Sequence, residues 1–256
     1  MIQRLVLLFL VLAVAGCATS PTGRNQLIMV PDDEMAASGA QMFSQLKEKE
    51  TVIRDPVASA EVNCVVNDLL RQLPAGWQSG WEVQIFEDKE SNAFALPGRK
   101  IGVNTGMIKL AKNDAQLATV IGHEIGHVIA RHASERASMG LLSQIGGEVA
   151  GQISPAGAAV FGLGSQVGIM LPYSRTHEAE ADVIGQDLMA RAGFDPRESI
   201  RLWQMMAKQG KEKSPELLST HPADSTRIEG LTAHLKMTMP MYQRAQAAGR
   251  KPHCGQ

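Results

Sequence analysis

The chain has 256 residues, with 25 basic and 26 acidic side chains and a formal net charge of -1. That balance lacks the concentrated basic surface that phosphate binding needs, so no nucleic-acid partner is expected. A composition 44% hydrophobic and 20% charged excludes wholesale disorder, and the length is enough to bury the core of one domain.

Residues 1–16 carry one charge, Arg4, then the apolar run Leu5 to Val14 and the small residues Ala15 and Gly16. This is the pattern of an export signal, and its apolar part is short for a membrane span of roughly 20 residues. Val14-Ala15-Gly16-Cys17 resembles the bacterial lipobox, which implies a lipid on Cys17 and a membrane anchor there. Two or three acyl chains, at about 0.8 kcal/mol per buried CH₂, hold firmly where one chain holds marginally. Residues 17–30 then read as the lipidated N-terminus and a tether, since Ala18 to Asn25 are small and polar. Ala rather than Asp at position 18 resembles an outer-membrane address facing the periplasm. Two further cysteines remain, Cys64 and Cys254. An oxidising compartment permits a disulfide between them, while Cys64 also suits the apolar face of a helix as a buried thiol.

Residues 31–248 read as a single domain. Asp32 or Asp33 can cap a helix to about Glu50, with Met35, Met42, Phe43 and Leu46 as its buried stripe. Pro56 opens a second helix, in which Val62, Val65, Val66, Leu69, Leu70 and Leu73 recur at helical spacing until Pro74-Ala75-Gly76 stops it. Trp81 to Phe86 alternates as a strand. Phe94 to Leu96 and Lys100 to Val103 flank a turn at Pro97-Gly98 as two more. Asp114 to about Ala137 is the strongest helix, with Leu117, Val120, Ile121, Ile125, Val128 and Ile129 at its apolar positions. The fold class is therefore α+β, mainly helical, with a small mixed sheet beside that helix.

Residues 138–171 carry eight glycines and a single charge, Glu148. They read either as a loosely helical hairpin or as a mobile flap over a cleft. Ser174 then caps a helix to Arg191 that Gly193 closes. Pro196 opens a helix to about Gln209, Pro222 one to about Leu235 and Pro240 a short last one. Residues 249–256 are expected to be a mobile tail.

His123-Glu124-Ile125-Gly126-His127 is an H-E-x-x-H run inside the strongest helix. Four-residue spacing sets the two histidines one turn apart on one face, about 6 Å from each other, where both imidazoles can reach one Zn²⁺. Glu124 lies roughly 100° round the helix, beside the ion, and suits a general base. Gly126 removes bulk near the site. Positions 130 and 133 are both Ala, so a third histidine at the short extended spacing is missing, and His132 is expected to point elsewhere. A third ligand has to come from a later element. The acidic helix offers Glu178, Glu180 and Asp182. Glu178 and Asp182 share a face at i,i+4, and Glu180 faces roughly the opposite way. One face thus carries a ligand and, behind it, a carboxylate that can accept the other ring N–H of His123.

Together these motifs resemble peptidase family M48, a family of zinc metallopeptidases, over about residues 30 to 240. The likeness is to its short bacterial periplasmic lipoprotein members. It implies a zincin-like metallopeptidase domain holding one Zn²⁺ per chain. Ser174-Arg175 followed by Glu178 and Asp182 matches the family's second motif, making Glu178 the third ligand, Asp182 its supporting acid and Arg175 a candidate neighbour. Asn92, Ala93, Phe94 and Ala95 match a strand that pairs with substrate backbone. Thr220-His221-Pro222, with Arg227, matches a C-terminal segment in which His221 approaches the bound peptide and steadies the reaction's tetrahedral state. The expected activity is zinc-dependent hydrolysis of unfolded or misfolded cell-envelope proteins, with envelope assembly machinery as a further partner. The alternative is a zinc-containing chaperone or assembly factor with little or latent proteolysis.

Overall fold

Residues 17–153, 174–209, 216–222 and 225–255 are described by the computed structural model of the chain. The export signal and the second half of the 138–171 segment lie outside the described residues. A hairpin of β1 (Cys17–Thr19) and β2 (Asn25–Leu27) comes first, followed by α1 (Asp32–Lys49) and α2 (Pro56–Leu70). Three strands follow, β3 (Glu82–Phe86), β4 (Ala93–Leu96) and β5 (Lys100–Asn104), in the order β3-β5-β4. β5 runs parallel to β3 and antiparallel to β4, so the sheet is mixed and β4 forms one edge. The rest is helical: α3 (Thr105–Leu110), α4 (Asp114–Ile129), α5 (His132–Ile153), α6 (Arg175–Ala192), α7 (Arg197–Gln209), α8 (Glu216–Thr220) and α9 (Ser225–Ala247). No helix among the described residues is long and apolar enough to cross a membrane.

α4 is the element around which the others are arranged. The Asn113 side chain caps it by accepting the Gln116 N–H at 2.9 Å. Every residue from Gln116 to His127 is buried, the pattern of a helix enclosed on all sides. Leu117, Val120, Ile121 and Ile125 share one core with Val62, Val65 and Leu69 of α2, Ile101 and Val103 of β5, and Leu202, Trp203 and Met206 of α7. Each such side chain contributes about 1.5–3 kcal/mol on burial. On its other side α4 meets α6 backbone to backbone. A Cβ at Gly126 would stand 2.9 Å from the Ala181 carbonyl oxygen, and one at Gly185 would stand 2.8 Å from His123 N. These missing side chains let the H-E-x-x-H helix approach the acidic helix closely enough for their functional residues to meet.

Several expectations are corrected. The strongest helix does not run to Ala137: it caps at Ala130, Arg131 turns into left-handed backbone (φ 57°), and α5 starts afresh at His132. A non-glycine residue seldom adopts that conformation; here the Arg131 guanidinium is anchored on Asp32, at 2.6 Å. Asp32 is therefore not a cap, and Pro31 occupies the N-cap of α1. Met42 is 50% exposed, leaving Phe43 as the fully buried member of that stripe. Pro240 begins no new helix but lies inside α9. Contacts with α6 hold α9 across the missing donor, His234 on Asp187 at 2.8 Å and Thr238 on Gln186 at 3.4 Å. The first half of the glycine-rich segment is helical, as part of α5.

Both ends expected to be loose are fastened. Residues 17–30, read as the lipidated N-terminus and a tether, contain the β1–β2 hairpin, and its Gln26 donates to the Ala130 carbonyl at 2.6 Å. In the tail, Cys254 is bonded to Cys64 across a sequence separation of 190, and its N–H donates to Asp114 at the start of α4.

Candidate metal centre

His123 and His127 of α4, Glu178 of α6 and His221 just after α8 each bring one ligand atom into a group with no separation above 4.8 Å. His123 Nε2 and His127 Nε2 are 3.0 Å apart, and Glu178 lies 3.3 Å from the first and 3.4 Å from the second. His221 Nδ1 stands 2.9 Å from Glu178 Oε1 and 3.3 Å from His123 Nε2. All four residues are at least 96% buried. The structure thus brings His123, His127 and Glu178, the three expected ligands, into one group. His221, expected to face the peptide, stands among the donors themselves.

Asp182 lies where the i,i+4 spacing puts it, accepting from His123 Nδ1 at 3.0 Å. That bond keeps the His123 proton on Nδ1 and turns the Nε2 lone pair toward the cluster. Asp182 is held in turn by a residue to which the sequence reading assigned no role. Arg227 reaches it through Nε at 2.8 Å and Nη2 at 2.7 Å, while Nη1 stands 2.9 Å from Glu178 Oε2. The guanidinium lies over Trp203, 4.1 Å from the ring, and donates to the His221 and Pro222 carbonyls. One arginine therefore binds both carboxylates and the loop that carries His221. The signal for it was present in the family-like segment after His221, but spacing alone could not orient it across a loop. Arg175, the candidate neighbour, is instead exposed at the first turn of α6 and lines a cavity of about 350 Å³ with Asp182 and Arg227.

Glu124 sits beside the donors. Its Oε2 accepts the Ala95 N–H at 3.0 Å, and its Oε1 is buried with no hydrogen-bond partner among the described residues, 3.5 Å from His221 Nε2. Burial raises the Glu124 carboxyl, against the pull of His221 and His123. For His123, burial works downward, but Asp182 and Glu178 overcome it and lift the imidazole to about 9. Burial would also raise Glu178, yet the three histidines hold it far below the usual carboxylate range. Among the described residues, three buried carboxylates, Glu178 in the donor group with Glu124 and Asp182 beside it, thus stand against the one buried guanidinium of Arg227. That charge and a nitrogen-and-oxygen donor set fit a single Zn²⁺.

Along β4, the Asn104 N–H donates to the Asn92 carbonyl, so residues 92, 94 and 96 turn their backbone groups toward β5. Ala93 and Ala95 turn theirs to the outer edge. Phe94 lies flat across Gly102 and stacks on Phe86 at 5.9 Å. His132 does not point away from the site as expected: its Nδ1 is 2.8 Å from His127 Nδ1. His177, next to Glu178, faces Glu135 at 3.1 Å and is outside the donor group.

Comparison with known sequences gives this arrangement its lineage: the profile of peptidase family M48 matches residues 56–235. The chain belongs to peptidase family M48. This M48 chain is 34% identical over 232 residues to the mitochondrial metalloendopeptidase OMA1 of Saccharomyces cerevisiae, covering 88% of itself and 63% of that protein. It is 39% identical over 172 residues to the Arabidopsis thaliana OMA1, covering 66% of itself and 35% of the relative. It is also 26% identical over 215 residues to the beta-barrel assembly-enhancing protease of Escherichia coli K12, covering 79% and 44%. The M48 chain therefore spans less than two thirds of the length of each of these relatives.

Proposed function

We propose that this chain is a zinc-dependent endopeptidase that cleaves extended segments of unfolded or damaged cell-envelope proteins. The observation that carries the reading is the place of Glu124. It joins the donor group to the outer edge of the sheet, with one oxygen on Ala95 N–H and the other buried without a hydrogen-bond partner among the described residues.

When bound by His123, His127 and Glu178, Zn²⁺ supplies a Lewis acid that polarises the scissile carbonyl and acidifies water. The chain's own groups do the rest. Glu124 takes a proton at Oε1 and returns it to the leaving amine. Ala95 N–H keeps that carboxylate aimed, and Asp182 with Arg227 fixes the ring of His123. An extended peptide adds to β4 through the outward backbone groups of Ala93 and the Ala95 carbonyl, a mode that reads extension more than side chains. Asn92 and Phe94 support that strand from behind. His221 Nε2, beside Glu124, donates to the developing negative charge.

The E. coli relative is named for enhancing beta-barrel assembly, which supports a role beside envelope assembly machinery. With the lipobox-like Cys17, it supports a short lipoprotein held at the outer membrane by a lipid and facing the periplasm. One observation favours the alternative of a latent or chaperone-like zinc protein: His221 Nδ1 stands with the other three donors, and four protein donors would close the site as in a structural zinc centre.

The test is digestion of unfolded casein by the wild type and by E124Q, with zinc content measured on both. Cleavage by the wild type alone, with zinc in both, supports the endopeptidase. Zinc in both with cleavage in neither supports the latent form, and absence of zinc from the wild type removes the reading.

A further inference from the structure

The two zinc-binding histidines of the proposed centre are supported differently. His123 meets a carboxylate directly, through Asp182. His127 meets another imidazole: its Nδ1 lies 2.8 Å from His132 Nδ1, and His132 Nε2 lies 3.1 Å from Glu180 Oε2. His132 has no exposed surface, and Glu180 is 6% exposed.

These distances permit one arrangement of protons. To turn a lone pair toward the donor group, His127 Nε2 must be bare, which puts its proton on Nδ1. Two ring nitrogens 2.8 Å apart bond only when one donates and the other accepts, so His132 Nδ1 is the acceptor. The His132 proton then sits on Nε2, where it donates to Glu180, a group that as an anion can only accept. Glu180 is paired with the Arg24 guanidinium at 2.8 Å, so its oxygens act here as acceptors.

We infer that Glu180 and His132 are positioning residues for His127, a two-member relay that fixes the tautomer and ring angle of that ligand. The inference rests on the zinc reading above. The far end of the relay is held by the N-terminal hairpin. Thr22 Oγ1 donates to Glu180 Oε1, and Arg24 Nε donates to Glu180 Oε2 at 2.8 Å. Arg24 also grips Glu135 of α5 with both terminal nitrogens, at 2.8 and 2.6 Å. The left-handed turn at Arg131 makes this geometry reachable, because it ends α4 and folds His132 back beside His127. In an unbroken helix, five residues would carry His132 well off the His127 face. The turn between β1 and β2, a few residues past Cys17, is thus joined through Glu180 and His132 to a metal ligand.

The experiment uses the full chain purified in detergent, as wild type, H132F, H132N, E180Q and R24Q. It measures zinc Kd by chelator competition, the visible spectrum of the Co²⁺-loaded protein, and the rise in Tm on adding zinc. H132F keeps ring volume and removes both nitrogens, so zinc Kd should rise about 10–100-fold and the cobalt bands should shift. H132N restores an acceptor near the Nδ1 position and should recover part of the affinity. E180Q should weaken zinc by a similar factor to H132F and R24Q by less, and adding E180Q to H132F should cost little more. A purely structural role would lower Tm with and without zinc alike and leave Kd and spectrum alone. Folded variants with wild-type Kd and cobalt spectrum would overturn the relay and leave the metal centre standing. If H132F does not fold, E180Q and R24Q decide by the same readouts. A wild type without zinc would overturn the centre and the relay together.

Discussion

The backbone N–H of Ala95, on the edge strand, donates to the side chain of Glu124, on the central helix, at 3.0 Å. The strand that would receive a peptide is therefore also the strand that aims the proposed base. Proline at position 95 removes that one donor where edge strands tolerate proline. A hydrogen bond to a charged group is worth about 1.5–3 kcal/mol. A95P should lower kcat on casein by roughly 10–100-fold with zinc content unchanged. Single-turnover kinetics beside a zinc assay checks both halves.

Arg227 forks onto Asp182 and reaches Glu178, all three buried. Breaking a buried ion pair from one side costs about 3–5 kcal/mol, because the other charge is left without its partner. R227A should lose about that much stability in urea unfolding of the metal-free protein, and it should release zinc more readily. R227K keeps the charge without the planar fork and should fall between.

Gly185 lies against α4 so closely that an added Cβ would meet His123 N at 2.8 Å and Gly122 C at 2.9 Å. Alanine gains about 1 kcal/mol of helix propensity over glycine. Overpacking a tight contact costs about 1–3 kcal/mol, and these neighbours are backbone, which cannot rotate away. G185A should therefore be destabilised on balance and should bind zinc more weakly, read as a lower Tm with a smaller rise on metal addition.

Glu135 is one contributor to the pH dependence of stability. Burial raises its carboxyl, but hydrogen bonds from Arg24 and Gln26 more than offset this and hold it below 4.5. A carboxyl depressed in the folded state adds stability above its unfolded value, and loses it as pH falls through the folded value. Stability of the wild type should drop as pH goes below about 4.5. E135Q should be less stable at neutral pH and show a shallower drop, measured by urea titrations between pH 3 and 7.

The donors on regular helices could be grouped by face from spacing. His123 and His127 share one face of α4, and Glu178 and Asp182 one face of α6, so periodicity shows which residues lie together, while the family resemblance is what singles out Glu178 as the ligand. The residues that depend on a break in periodicity were hidden. Nothing in Ala130-Arg131-His132-Ala133 resembles a helix stop, since it holds neither Gly nor Pro. The turn there is anchored by Asp32 and by Gln26 on the Ala130 carbonyl, both distant in sequence. His132 was assigned to the wrong direction for that reason. Pro240 misled in the opposite sense, because contacts with α6 hold α9 together across it. Arg227 was visible as a residue, but its reach into two carboxylates depends on how α9 lies on α6.

The Cys64–Cys254 bridge closes a covalent ring that contains all four donors, His123, His127, Glu178 and His221. A single cut anywhere between the two cysteines, by this enzyme or another, would open the ring without dividing the molecule. A break between His127 and Glu178 would leave half of the donors on each piece, yet both pieces would remain one body. Damage of that kind would pass unseen on a gel until a reductant was added, and the nicked protein could go on holding its metal.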